Sequence, residues 1–195
     1  MDSSNKGKLF IISAPSGAGK TTLANEIIRR LSDQFNISKV ITWTTRSPRP
    51  GESEGKDYHF TSREKFEEKR KNDFFLETTK YNGELYGSPK DVLEHLELGK
   101  SFIIVTDLYG VNQLKKITPH AIFFWIKAPN LEELKTRLIK RKTLDKNDIE
   151  KRLELAKKEL KEADKPRLFD YNIVNDDFDK TVNEISLLIK KELVK

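Results

Sequence analysis

Apolar residues in this chain follow two rhythms. Unbroken runs stand at Leu9 to Ile12, in SFIIVTD (101–107) and in AIFFWI (121–126). Such runs predict strands covered on both faces, as in a parallel sheet. Elsewhere the spacing is helical. Leu23, Ile27, Ile28 and Leu31 predict a helix over 20–32, and Val182, Ile185, Leu188, Ile189 and Leu193 predict the last one. Between them, 130–163 is long, charged and helical, with Leu131, Leu134 and Leu138 in one segment and Ile149, Leu153, Ala156 and Leu160 in the next.

The middle of the chain is more broken. Strands are predicted over 37–43 (ISKVITW) and 57–60 (DYHF), and a charged helix over 62–72 behind Ser62. A hairpin turns at Asn82-Gly83 within 81–88, and a helix runs from Pro89 to Gly99. Residues 169–177 give a final short strand and turn. Strands alternating with helices predict a doubly wound α/β fold, with ligands gathered at the carboxyl ends of the strands. Residues 42–88 interrupt that alternation and read as a small mixed lobe inserted into the main sheet.

Composition adjusts this picture in three ways. The 195 residues suit one domain, and at 36% hydrophobic and 35% charged the core is lean and the surface heavily solvated. The net charge of +6 favours anionic partners, but lysines alternate with glutamates, as in EEKRK and KKELKEADK, which reads as solvated helix faces. With no cysteine, disulfides and thiolate chemistry are excluded. The start, MDSSNKGK, has no apolar signal core, no run reaches membrane-spanning length, and a cytoplasmic protein is expected. Asn36-Ile37-Ser38 is then a chance match to a glycosylation acceptor. His59, His95 and His120 have no metal-binding spacing.

The chemistry begins directly after the first strand, at Ala14-Pro15-Ser16-Gly17-Ala18-Gly19-Lys20-Thr21-Thr22. Strand, glycine-bearing loop and helix is the setting of a Walker A phosphate cradle, although its usual first glycine is Ala14 here. Glycines let successive N–H groups point inward, and the helix N-terminus adds partial positive charge. Lys20 then reaches the β- and γ-phosphates of a nucleoside triphosphate, and the Thr21 hydroxyl ligates Mg²⁺. A second feature is the loop TTRSPRPGE (44–52), whose Arg46 and Arg49 suit either a phosphate grip or an ordinary exposed loop. Asp107 follows a strand, as do Lys20 and the arginine loop.

Taken together, SAPSGAGKTT (13–22), TTRSPRPGE (44–52) with Gly55 and DYHF behind it, FLE (75–77), LYGSP (85–89) and IVNDDFD (173–179) resemble the guanylate kinases over nearly the whole chain. The resemblance implies a P-loop NTPase sheet over 1–41, 89–127 and 166–195, a GMP-binding lobe over 42–88 and a helical lid over 128–165. It implies ATP-dependent phosphorylation of GMP, and of dGMP, with Mg²⁺. Nucleic acid and membrane are not expected as partners, and the protein is expected to be a monomer or weak homodimer. A catalytically inactive interaction module and a P-loop kinase for another phosphate acceptor are the alternative readings. Lys20, Arg46 and Arg49 stand against the first.

By this family match, residues 14–22 and Asn175 meet ATP. Glu77 and Asp107 read the donor edge of guanine, and Ser88 and Thr42 the acceptor side. Arg46, Arg49, Tyr58, Tyr86 and Gly87 complete the GMP site, and Arg141 and Arg152 close over the transferring phosphoryl group beside Lys20 and Arg46. Thr21, with Asp107 as a second ligand, holds the metal. Taken singly, Tyr58 and Tyr86 also read as core tyrosines, Glu77 as a strand end, Arg141 and Arg152 as ion-pair formers, and Asn175 as a turn former. Arg137 reads as a third lid arginine or a surface ion pair. Val105 stands where the family commonly has an acid, Tyr109 where it has a glutamine, Thr42 where it has a serine, and Lys142 where it has a glycine. Both lobes are expected to swing toward the cradle, because an open site would hydrolyse ATP.

Overall fold

The computed structural model describes residues 6–15, 17–140, 146–164 and 168–195. Its main sheet has five parallel strands in the order β2-β7-β1-β8-β9. These are β1 (Leu9–Ser13), β2 (Ile37–Lys39), β7 (Ser101–Val105), β8 (Ile122–Lys127) and β9 (Tyr171–Val174). Strand alternation explains why the apolar runs are unbroken. Phe10, Ile12, Phe124 and Ile126 face α1 (Lys20–Leu31) and α7 (Phe178–Leu193), meeting Leu23, Ile27, Val182 and Ile185. Leu9, Ile11, Phe123 and Trp125 face the other way, against Val111 and Leu114 of α4 (Leu108–Ile117). Each layer needs its own apolar residue at every second position.

Phe124 sits at the centre of the first layer, fully buried and stacked on Tyr171 at 4.9 Å between ring centroids. Phe124→Ala is expected to cost about 3–5 kcal/mol, read as a shifted urea midpoint with an unchanged slope.

The second sheet has four strands in the order β4-β3-β6-β5. They are β3 (Trp43–Thr44), β4 (His59–Phe60), β5 (Phe75–Tyr81) and β6 (Glu84–Pro89). α2 (Arg63–Lys71) lays Phe66 on Phe75 and Leu85 as a separate small core. The hairpin turns at Asn82 and Gly83, both at positive φ (50° and 85°), which this tight turn requires. α3 (Val92–Glu97), α5 (Leu131–Lys140) and α6 (Lys146–Ala163) complete the fold.

Two sequence expectations need correction, and one helix was not expected at all. The strand over 37–43 is two strands in two sheets, because residues 40–42 are the crossing between them. Pro89 does not open a helix. It ends β6 opposite Phe75, the next N–H, that of Lys90, bonds the Phe74 carbonyl at 2.9 Å, and α3 starts only at Val92. α4 had no counterpart in the sequence reading, since Tyr109, Gly110 and Asn112 dilute its pattern. It forms because the Asp107 carboxylate caps it, accepting the Gly110 N–H at 3.0 Å.

Candidate active site

The loop between β1 and α1 turns on two glycines at positive φ, Gly17 (90°) and Gly19 (86°). Ala14 is outside the left-handed region and fully buried, so alanine fits where the strict motif has glycine. Gly19 caps α1 without a side-chain bond, and the first turn carries no acidic residue. The N–H groups and dipole of the helix therefore meet no anion from the helix's own first turn. The Lys20 ammonium donates to the Ala14 carbonyl at 2.6 Å and so lies across the loop. A Cβ on Gly17 would stand 2.7 Å from a Leu138 methyl, because α5 rests on this loop.

Beyond the cradle lies a cleft of about 180 Å³ between the two sheets. Gly17, Gly19, Lys20, Thr21 and Thr22 line it on one side. Thr42, Arg49, Tyr58, Glu77, Tyr86, Asp107 and Arg152 are among the residues that line the rest. Burial raises the pKa of Tyr58, while the Thr21 hydroxyl, within bonding reach of the phenol, acts against that rise. Small sheet and cradle thus meet in this conformation.

Glu77 is the most unusual group in the cleft. It is only 3% exposed, accepts the Ser88 hydroxyl at 2.7 Å, and lies 3.4 Å from the Thr106 hydroxyl. Burial pushes its carboxyl up to about 7; the Ser88 hydroxyl pulls the other way, and the charge of Asp107 adds to the rise. Burying a carboxyl with two hydroxyls and a second carboxylate is costly for a structural role. The arrangement suits a ligand that brings N–H donors.

Other expected site residues lie just outside this lining. Arg46 bonds both Glu52 carboxylate oxygens at 2.9 Å and sits over the Tyr58 ring, 5.3 Å from its centroid. Glu52 also accepts the Arg49 N–H at 2.8 Å, so one carboxylate organises the whole arginine loop. Ser88 reaches the cleft through Glu77, and Gly87 makes room for the Phe75 ring, 2.7 Å from where its Cβ would be. Pro15 lines a separate hollow with residues 127–131, near the buried Asn175. Arg137 bonds the Asn175 carbonyl at 2.9 Å and pairs with Glu133, the surface ion-pair alternative. The buried Nε of Arg152 has no hydrogen-bond partner among the described residues. Ser16, Arg141 and Lys142 lie outside the described residues.

This geometry joins a phosphate cradle to a base-sized polar recess. A family model described as guanylate kinase matches residues 6–192. The chain belongs to the guanylate kinase family. It is 42% identical to the guanylate kinase of Wolbachia pipientis wMel over 98% of this chain and 93% of that one. It is 41% identical to that of Clostridium tetani, over 96% and 87% respectively. The crystal structure of guanylate kinase from Anaplasma phagocytophilum superposes with a TM-score of 0.80 at 30% identity, covering 98% of this chain and 88% of that one.

Some cleft residues of this guanylate kinase-family chain carried no signal of their own in the sequence. Thr106, Thr79 and Tyr81 line the cleft, and only the fold brings them there. Lys39 does so as well; burial lowers its pKa, with Asp57 opposing. Glu52 was visible inside the TTRSPRPGE motif, but its organising bonds were not.

For a metal, no group of three or more His, Cys, Asp or Glu that could hold an ion occurs among the described residues. The cleft nonetheless offers hard oxygen donors, the Thr21 hydroxyl and the Asp107 carboxylate. That sparse set fits Mg²⁺, which takes one or two protein oxygens and completes its shell with phosphate and water. Among the described residues, no helix is long and apolar enough to cross a membrane.

Proposed function

We infer that this cleft transfers the γ-phosphoryl group of ATP to the phosphate of GMP, releasing ADP and GDP, and that dGMP is accepted as well. The observation that carries the reading is the buried Glu77 carboxyl, set beside Asp107 in the same cleft as Lys20 and Thr21. Guanine presents N–H donors at N1 and N2. One carboxylate accepts both, and Asp107 stands near the same edge. Adenine has no donor at N1, and it would leave buried carboxylates unpaired.

The reaction needs no protein nucleophile. An oxygen of the GMP phosphate attacks the γ-phosphorus in line, the bond to the β–γ bridging oxygen breaks, and ADP leaves. The chain positions and neutralises. Arg46, Arg49, Tyr58 and Tyr86 hold the GMP phosphate, with Glu52 fixing both arginines' loop. Lys20 exchanges the Ala14 carbonyl for phosphate oxygens. The unsatisfied Nε of Arg152, with Arg141 beyond the described residues, meets charge developing on the transferred group. Thr21 and Asp107 would hold Mg²⁺ together with the triphosphate, and the ion would supply charge neutralisation on the phosphate oxygens. Closure of the lobes over both substrates would keep water from the transferring group. The reading carries with it a cytoplasmic enzyme.

A coupled ADP-release assay with ATP, Mg²⁺ and GMP, dGMP, AMP or UMP tests it. Turnover is expected with GMP and dGMP alone. Absence of GMP-dependent turnover rejects the reading.

A further inference from the structure

β5 carries Glu77 and is the outermost strand of the small sheet, so half of its backbone groups face away from any neighbouring strand. At Thr78 those groups are not left open. The Thr78 N–H donates to Gln113 Oε1 at 3.3 Å, and Gln113 Nε2 donates to the Thr78 carbonyl at 2.8 Å. A primary amide carries the same donor and acceptor as a peptide group, so one side chain of α4 acts as a one-residue strand partner. Asparagine is a methylene shorter, and glutamate cannot donate. The amide is further held on its own helix by a 3.4 Å bond to the Tyr109 carbonyl.

The same helix face shapes the Glu77 pocket. Gly110 lies one turn before Gln113, and a Cβ there would stand 2.8 Å from Glu77 Oε2 and collide with the Thr106 hydroxyl. Gly110 and Gln113, three apart on α4, form one helical strip against β5, and Thr106 adjoins it from the end of β7. Asp107 caps the start of that strip. By contrast, Arg46, Arg49 and Tyr58 belong to the loop between β3 and β4, on the opposite side of the sheet order.

We propose that Gln113 is a positioning residue for base recognition, strapping β5 to α4 so that Glu77 stays beside Thr106 and Asp107. This rests on the reading of the cleft as a GMP site.

Two measurements test it. In Gln113→Met, which keeps the length but neither bond, KM for GMP is expected to rise about tenfold with kcat within about twofold. The preference for GMP over IMP, which lacks the 2-amino group, is expected to fall about tenfold. Equal losses for GMP and IMP, or a loss in kcat alone, would overturn the proposal while wild-type GMP turnover leaves the function intact. Hydrogen exchange on the free wild-type chain gives a second readout that needs no variant. The Thr78 amide is expected to exchange as slowly as those of β7, and the Arg46 to Tyr58 loop far faster. Exchange of Thr78 at the rate of that loop would sink the idea.

Discussion

Glu77→Gln is expected to lower kcat/KM for GMP by about 10³-fold while affinity for ATP stays within about twofold. The carboxylate offers acceptors to both N1–H and N2–H. An amide replaces one of them with a donor, which faces a donor and cannot be satisfied in a closed site. Steady-state kinetics with GMP varied, and ATP binding measured separately, distinguish this from a general loss. A proportionate loss of ATP affinity would refute it.

The pH dependence of the wild type follows from the same group. With its carboxyl raised to about 7, free Glu77 is largely protonated in mild acid, whereas guanine needs the ionised form. KM for GMP is therefore expected to rise about tenfold per pH unit below 7 and to level off above it. Stability runs the opposite way. Between the ordinary value of 4.5 and about 7, the folded state binds more protons than the unfolded one, so stability falls as pH rises through that window. Above it, the buried charge costs up to about 3 kcal/mol. Glu77→Gln should then be more stable than the wild type at pH 8 and equal to it near pH 5, checked by urea unfolding. A variant that is inactive yet more stable is the signature of a functional, not structural, carboxylate.

The second large effect belongs to Lys20. Lys20→Met should reduce kcat by about 10³-fold or more, because the cation that neutralises the β- and γ-oxygens is gone while the chain's length remains. GMP binding, followed by calorimetry without ATP, is expected to change less than about twofold, since the acceptor half carries its own charges. Retention of a tenth of wild-type kcat would remove Lys20 from the donor site.

Much of this was visible in the residues, for reasons that differ from place to place. The runs at 9–12 and 121–126 are legible because both faces of the main sheet are covered, so every position is apolar. The cradle is legible because its chemistry is local: strand end, glycines, lysine and helix start are consecutive. α4 was hidden by Tyr109, Gly110 and Asn112, residues that serve the cleft or solvent more than they favour a helix. Ser88 and Glu77 were legible through the family's spacing, but their 2.7 Å bond to each other was not. Arg46 shows the same limit. Its charge left a phosphate grip and an ordinary exposed loop both open, and only the fold reveals Glu52 as the carboxylate it pairs with. Thr106, Lys39 and Gln113 gave no sign, because each acquires its meaning from a strand distant in sequence.

The contact between Gly17 and Leu138 gives the cradle a further meaning. The backbone there comes so close to a methyl of α5 that nothing larger than hydrogen fits between them. Glycine at this place therefore serves the seating of α5 on the loop as well as the turn of the loop itself. The loop and the helix above it are shaped to each other, so a side chain at position 17 would have to displace Leu138 as well as strain the turn.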